Sequence, residues 1–293
     1  MNIRVHQKNI LRYFPKSILK LIRNPGEDLD INSGEYSQND ICVLFADIRN
    51  FSGISENLES DNVFLLMNDF IKQIIPAITE NGGIVDKFIG DAFLAIFPLS
   101  ANSAVQSAVN IMQRLDIFNE SIRDKEYYPL QIGIGIHKGN CTIGVIGNDT
   151  IHQVAILGDA VNLSSRIESA TKTYKAPILI SDSVYSEIKN TADFNCREID
   201  TVRVKGKDHA VVLYEICNCN SEKVIEQKRC ISEDYANALS LYKSGNFNES
   251  KMLLEKCQEI FPEDPILQIY IKRCGTFLRM PPGDDWSGIT GIL

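Results

Sequence analysis

The sequence predicts an α+β fold, a ferredoxin-like sandwich continued by an all-helical segment. Three observations lead there. From residue 40 to about residue 216, short apolar runs alternate with longer stretches whose apolar residues recur at helical spacing, in the order strand, helix, hairpin, helix, strand. After Glu215 only helical periodicity remains. Within the alternating stretch, the aspartates Asp47 and Asp91 each stand at the end of a short apolar run.

Residues 1–24 carry Arg4, Lys8, Arg12, Lys16, Lys20 and Arg23 without one acid, at near four-residue intervals, with Ile3, Ile10, Leu11, Phe14, Ile18, Leu19 and Ile22 on the other side. Pro15 must kink or break this pattern. Two readings stand: a basic interfacial helix in peripheral contact with acidic lipid, and a helical lead-in packing on its own domain or dimer, which is favoured because amphipathic helices usually face a core. Asn24-Pro-Gly and Asn32-Ser-Gly then mark a polar linker.

The run 41–46 reads as a strand, and residues 62–78 as a helix with Val63, Leu66, Met67, Phe70, Ile71, Ile74, Ile75 and Ile78 on one side. Asn81-Gly82-Gly83 stops it. Residues 84–89 and 92–97 form a hairpin turning at Gly90-Asp91, 101–119 a second helix, 130–137 and 142–146 another strand pair, and 158–171 a third helix. Strands at 178–181, near 197–205 and at 210–216 complete the sheet. Residues 235–250 are similar to a single tetratricopeptide unit, with a further helix over 265–274. One such unit cannot bury its own faces. The tail is therefore expected to pack on the sandwich or its dimer mate, a protein partner for it being the sharper and less favoured option.

With 293 residues, 44% hydrophobic and 23% charged, the chain can build one large or two small domains. A net charge of -8 argues against a nucleic-acid partner. Eight cysteines occur without a secretory signal pattern, several inside apolar runs, as Cys42 and Cys141 do, so a reducing cytoplasm is the simplest location. Cys217-Asn-Cys219 has neither zinc-knuckle spacing nor a nearby histidine. No run approaches the roughly 18 apolar residues of a membrane-spanning helix.

The chemistry concentrates in three segments. Asp47 lies in Ile41-Cys-Val-Leu-Phe-Ala-Asp-Ile-Arg-Asn-Phe-Ser52, and Asp91 in Val85-Asp-Lys-Phe-Ile-Gly-Asp-Ala-Phe-Leu-Ala-Ile-Phe97. Two carboxylates at neighbouring strand ends suit hard divalent cations held over a nucleoside triphosphate. In Ile156-Leu-Gly-Asp-Ala-Val-Asn-Leu-Ser-Ser-Arg-Ile-Glu168, Asn162 and Arg166 fall one helical turn apart and share a face. Taken singly, each is more often a cap or a solvated surface group. Together, in this order and spacing, they resemble the signature blocks of the class III nucleotide cyclases. The match runs from about Ile41 to about Ile216, and the flanks are similar to the cyanobacterial and spirochaete branch of bacterial adenylate cyclases.

That resemblance implies a class III cyclase fold with a lead-in over 1–36, a catalytic domain over 37–217 and a TPR-like extension over 222–293. It implies conversion of ATP to 3′,5′-cyclic AMP and pyrophosphate with two divalent cations, Mg2+ or Mn2+, held by Asp47, Asp91 and the carbonyl of Ile48. Phe51 and Ser52, in the strand-to-helix stretch 49–55, are placed against the β- and γ-phosphates. Asn162 is expected to orient the ribose and Arg166 to stabilise charge on the α-phosphate, for which a planar guanidinium suits better than an ammonium. Lys205 or Lys207 supplies a further phosphate contact. Because the family divides these groups between two subunits and this chain carries both sets, a symmetric homodimer follows. The ending Pro281-Pro-Gly-Asp-Asp-Trp-Ser-Gly288 resembles the tail motif of related bacterial cyclases, and its sequence alone assigns it no role.

Base selection departs from the pattern. Lys87, four residues before Asp91, matches the purine-contacting lysine of adenylate cyclases. Its partner position, seven residues before Asn162, usually holds Asp or Thr and here is Ala155, which accepts no hydrogen bond. A site lacking its acceptor loses the penalty against the wrong base. ATP with relaxed purine selectivity is expected. The alternatives are a guanylate cyclase and a degenerate nucleotide-binding regulatory module. A diguanylate cyclase is disfavoured, since the chain lacks a Gly-Gly-acidic-acidic-Phe hairpin.

Overall fold

A computed structural model describes residues 16–22, 34–125, 127–148, 152–190, 192–204, 210–283, 285–289 and 291–292. The chain divides into two compact units, Met1–Glu168 and Ser169–Leu293.

In the first unit α1 (Lys16–Ile22) precedes β1 (Tyr36–Ile48). Then come α2 (Phe51–Glu56), α3 (Ser60–Thr79), β2 (Ile84–Ile89), β3 (Ala92–Phe97), α4 (Ala101–Ile122), β4 (Ile132–Gly147), β5 (His152–Leu157) and the start of α5 (Asp159–Tyr174). From β1 to β4 this is a βαββαβ arrangement with strand order β2-β3-β1-β4, every neighbour antiparallel, the ferredoxin-like order. Alternation along the strands sorts the two faces. Leu66, Phe70, Ile74 and Ile78 bury the apolar stripe of α3, and Phe70 meets Phe118 of α4 edge-on at 5.9 Å. On the opposite face Ile41, Val43, Leu94, Ile96, Cys141 and Ile143 pack with Ile18 of α1 and Ala160 of α5. Ile18 and Leu19 are fully buried and Ser37 Oγ donates to the Leu21 carbonyl at 2.6 Å. Residues 16–22 therefore behave as a lead-in packing on its own unit; the rest of the basic N-terminal pattern lies outside the described residues.

The strand expectations needed two corrections. Residues 130–137 and 142–146 are not a pair: they belong to one uninterrupted β4 of 16 residues that pairs with β1 from Ile132 to Gly144. Its glycines and Asn140 look like turn signals in sequence, yet they sit in the ladder because β1 also runs longer than its apolar core, from Tyr36. On its other side the second half of β4 pairs with β5, whose short mixed run has no clear strand pattern in sequence.

The second unit contains the end of α5, β6 (Ile178–Ser181), α6 (Asp182–Ile188), β7 (Cys196–Arg203), β8 (Ala210–Ile216) and four tail helices. These are α7 (Glu222–Cys230), α8 (Ser232–Lys243), α9 (Phe247–Ile260) and α10 (Pro265–Arg279), with a short β9 (Gly291–Ile292) parallel to β7. The tail packs on β7 and β8 through buried polar anchors. Arg197 of β7 donates from Nη2 to Glu215 of β8 at 2.9 Å and from Nη1 to Asp264, the residue that also caps α10 by accepting from Ile266 N at 2.9 Å. Burial opposes the Arg197 charge, and the carboxylates of Glu215 and Asp264 outweigh it, so its pKa moves up. The ending that sequence left without a role has one here: Trp286 seats among Tyr242, Phe247 and Phe277 at 5.1 to 5.6 Å, and its Nε1 donates to the Lys243 carbonyl at 3.1 Å. All eight cysteines are free thiols. Among the described residues no helix is long and apolar enough to cross a membrane.

Candidate active site

Asp47 is the last residue but one of β1, half-buried and paired in register with Gly133 of β4. The β1–β3 ladder runs from Cys42–Phe97 to Ala46–Phe93 and stops one residue short of Asp47 and two short of Asp91. Both acids therefore leave the sheet at the same end. Gly90 makes the hairpin turn there with φ 66°, a left-handed conformation that favours glycine, and Asp91 follows, half-buried. Ile48 beside Asp47 is buried.

Lys87 stands on β2 at a bulge between Val85 and Lys87, where the extra residue is Asp86. The Lys87 ammonium lies 3.2 Å from Asp86 Oδ2, with the lysine side chain 33% exposed and the aspartate only 3%. That buried oxygen has the ion contact but no hydrogen-bond partner among the described residues. Burial raises the pKa of Asp86, and the adjacent lysine charge partly offsets this. Nothing in the sequence singles out Asp86, because the bulge that turns it inward has no clear mark there.

Beyond Ile48 the chain turns sharply. Asn50 adopts φ 53° and ψ 34°, the left-handed region that Asn tolerates better than most residues. Its side chain folds against Gly53, where a Cβ would come within 2.8 Å of Nδ2. This places Phe51, half-buried, and Ser52, exposed, at the start of α2 directly after the Asp47 strand end. Arg49 spans from this turn to α5: its Nη1 lies 2.7 Å from Glu168 Oε1, with side-chain exposures of 18% and 3%.

Helix α5 carries Asn162, exposed, and Arg166, half-buried. It lies so close to β4 that a Cβ on Gly135 would meet Glu168 N at 2.2 Å and Ser164 O at 2.3 Å, so only glycine fits there. Gly135 pairs with Phe45, so alternation along β1 puts Asp47 on the face that α5 covers. The start of α5 is elsewhere along the sheet. Ala160 lies against Gly139, whose partner on β1 is Ile41. Six residues separate Ile41 from Asp47, about 20 Å of strand. Ala155, buried on β5, pairs with Gly144, which pairs with Tyr36, whereas Lys87 pairs with Leu94 at the level of Phe45.

One chain thus gathers Asp47, Ile48, Asp91, Phe51 and Ser52 at one strand end, with Lys87 on the adjoining hairpin. It sets the start of the Asn162 helix, and Ala155, at other levels of the sheet. Lys205 and Lys207 lie outside the described residues. A cavity of about 610 Å³ in the second unit, between β7 and helices α7 and α8, includes none of these groups. No cluster of three or more His, Cys, Asp or Glu residues able to hold a metal occurs among the described residues. Two carboxylates and a carbonyl are hard oxygen donors, the set that Mg2+ or Mn2+ takes when most of its remaining ligands are water and phosphate. The donor set fits such ions and not a closed, all-protein site.

A mixed sheet of this order, with paired strand-end acids and an amide and a guanidinium on one helix, defines a nucleotide cyclase catalytic domain. Comparison with known proteins agrees: the family described as "Adenylate and Guanylate cyclase catalytic domain" matches residues 34–217, and the chain belongs to it. It is 36% identical over 271 residues to "Adenylate cyclase, terminal-differentiation specific" of Dictyostelium discoideum, covering 90% of this chain and 13% of that protein. It is 37% identical over 211 residues to an adenylate cyclase of Anabaena cylindrica, covering 70% of this chain and 42% of that one. The chain therefore spans less than half the length of either relative. The crystal structure of the adenylyl cyclase CyaB from P. aeruginosa is 32% identical with a TM-score of 0.56, covering 62% of this chain and 95% of that one.

Proposed function

We propose that the chain is an adenylate cyclase that closes ATP to 3′,5′-cyclic AMP and pyrophosphate at sites shared between two copies. The observation that carries the reading is the ladder end that brings Asp47 and Asp91 together while Asn162 and Arg166 lie on the face of α5 opposite Ser164 and Glu168, the residues that meet Gly135 of β4. A symmetric pair of chains supplies both halves to each of two equivalent sites.

Asp47, Asp91 and the Ile48 carbonyl would hold two divalent cations. When bound, those ions neutralise the triphosphate and acidify the ribose 3′-hydroxyl. Phe51 and Ser52 position the β- and γ-phosphates at the turn after β1. Asn162 of the second copy orients the ribose so that its 3′-oxygen stands in line with the α-phosphorus and the departing pyrophosphate. Arg166, fixed on a helix held by the Glu168–Arg49 pair, meets the charge that builds on the α-phosphate as the new P–O bond forms and the old one breaks. Lys87 donates to the purine. Ala155 offers no acceptor to the adenine amino group, so ATP is preferred over GTP by a modest margin.

Purified protein incubated with ATP or GTP and Mn2+ or Mg2+, with products identified by chromatography, tests the reading. Cyclic AMP is expected in excess over cyclic GMP, and none from Asp47→Ala. No product from either nucleotide would leave a nucleotide-binding module; cyclic GMP in excess would make the chain a guanylate cyclase. Mixing inactive Asp47→Ala and Arg166→Ala chains is expected to restore about one quarter of wild-type activity, since half of randomly paired dimers carry one intact site. A mixture that stays inactive while each variant still dimerises would sink the shared site.

A further inference from the structure

Helix α5 carries Asn162 in its first turn and Arg166 at its middle, and its far end is tied to the tail. Tyr174, its last residue, donates its hydroxyl to Asp200 Oδ2 at 2.7 Å. Arg273 of α10 donates to the same oxygen at 2.6 Å. The Tyr270 hydroxyl, also from α10, lies 3.1 Å from Asp200 Oδ1 and 2.9 Å from the Ile199 carbonyl, and Thr201 N donates to Oδ1 at 2.8 Å. Asp200 is 1% exposed, and Tyr174 and Tyr270 are buried with it. A register shift of β7 between Glu198 and Asp200 re-aims the strand at this point.

The charges are consistent with one fixed state. Burial first, then the Asp200 charge, push the Tyr174 and Tyr270 hydroxyls above their ordinary pKa, so both stay protonated donors. Burial opposes the Arg273 charge, and Asp200 outweighs it. A buried carboxylate that gathers donors from two helices holds them in one geometry, because losing either donor leaves a charge poorly solvated. Helices are stiff over a few turns. Tyr174 is eight residues from Arg166, about 12 Å along one continuous helix.

We infer that Asp200 is a positioning residue through which the C-terminal helices set the placement of the catalytic helix. This rests on the cyclase reading for its effect on turnover and on geometry for the link itself. The tail then belongs to the catalytic apparatus: α10, through Arg273 and Tyr270, fixes the end of the helix that presents Asn162 and Arg166. Agents that loosen α10 lower turnover without touching substrate.

The test uses the full chain. Tyr174→Phe removes one hydroxyl and little volume. It is expected to lower kcat about tenfold, the scale of a small misplacement of a reacting group, and to leave the nucleotide KM unchanged. Arg273→Met is expected to match it, and Arg273→Lys, which keeps a cation, to restore most of the loss. Hydrogen exchange supplies a readout independent of activity: amides 162–168 should exchange faster in Tyr174→Phe and Arg273→Met, with 41–47 unchanged. Wild-type kcat and unchanged α5 exchange in Tyr174→Phe would overturn the inference, as would a tenfold loss of kcat with amides 162–168 exchanging as in wild type. A wild type without cyclase activity would refute the proposed function, and the exchange result would still decide the link.

Discussion

The two units use charge in opposite ways. At the strand end of the first, Asp47 and Asp91 are half-buried and Ser52 and Asn162 are exposed. In the second, Asp264 and Asp200 are at most 1% exposed, Glu215 is 3% exposed, and each is saturated by donors from neighbouring elements. The acids of the first keep partial exposure to solvent, whereas the acids that lock helices to strands are sealed at folding. Buried ion clusters add little net stability over apolar packing but penalise any other arrangement heavily.

Substitutions at the two regions should therefore fail in different currencies. Asp47→Ala is expected to lower turnover by about a thousandfold or more, the scale of losing metal-assisted chemistry, with Tm within about 2 °C of wild type. A large loss of Tm would make Asp47 a structural acid and erase the contrast. Arg197→Met should do the reverse. It leaves Asp264 buried without its guanidinium and Glu215 with Lys228 alone, and should cost about 3–5 kcal/mol, roughly 10 °C in Tm. Gly135→Ala comes next at about 3 kcal/mol, since its Cβ would meet backbone of α5 at 2.2 Å and neither element can yield cheaply. Thermal unfolding by circular dichroism measures both.

The same contrast explains what could be read beforehand. The placement of Asp47 near the end of β1, Asp91 at the hairpin turn and Asn162 and Arg166 on one helix is legible because local patterning fixes those elements. The hairpin over 84–97 and the strands at 178–181 and 210–216 are legible because apolar periodicity is local. Arg197, Asp200, Glu215 and Asp264 look in sequence like ordinary solvated charges; their charged partners are 13 to 73 residues away, and only the register of β7 on β8 and the docking of α7 and α10 bring them together. The glycines of β4 mislead for a related reason, Gly135 being a site of close helix approach and not a turn.

Asp86 crosses the divide and tests it most finely. It is buried like the locking acids, yet its one ionic partner among the described contacts is Lys87, a third exposed and assigned to the purine. Burial holds its pKa above the ordinary 3.8, with Lys87 only partly compensating. The folded state therefore keeps this proton to higher pH than the unfolded chain does. Wild-type stability falls as pH rises from the ordinary value through the raised one, and the whole cost is present above it. Asp86→Asn has the same shape without the charge, so it should gain about 1–3 °C in Tm at about pH 7.5 and nothing at about pH 3, where the carboxyl is largely protonated in both states. A lower Tm at the higher pH would mean that the Lys87 pair outweighs burial, placing Asp86 with the locking acids. The expected gain would instead mark it as a buried charge retained at a cost in stability beside Lys87, the lysine proposed to contact the purine.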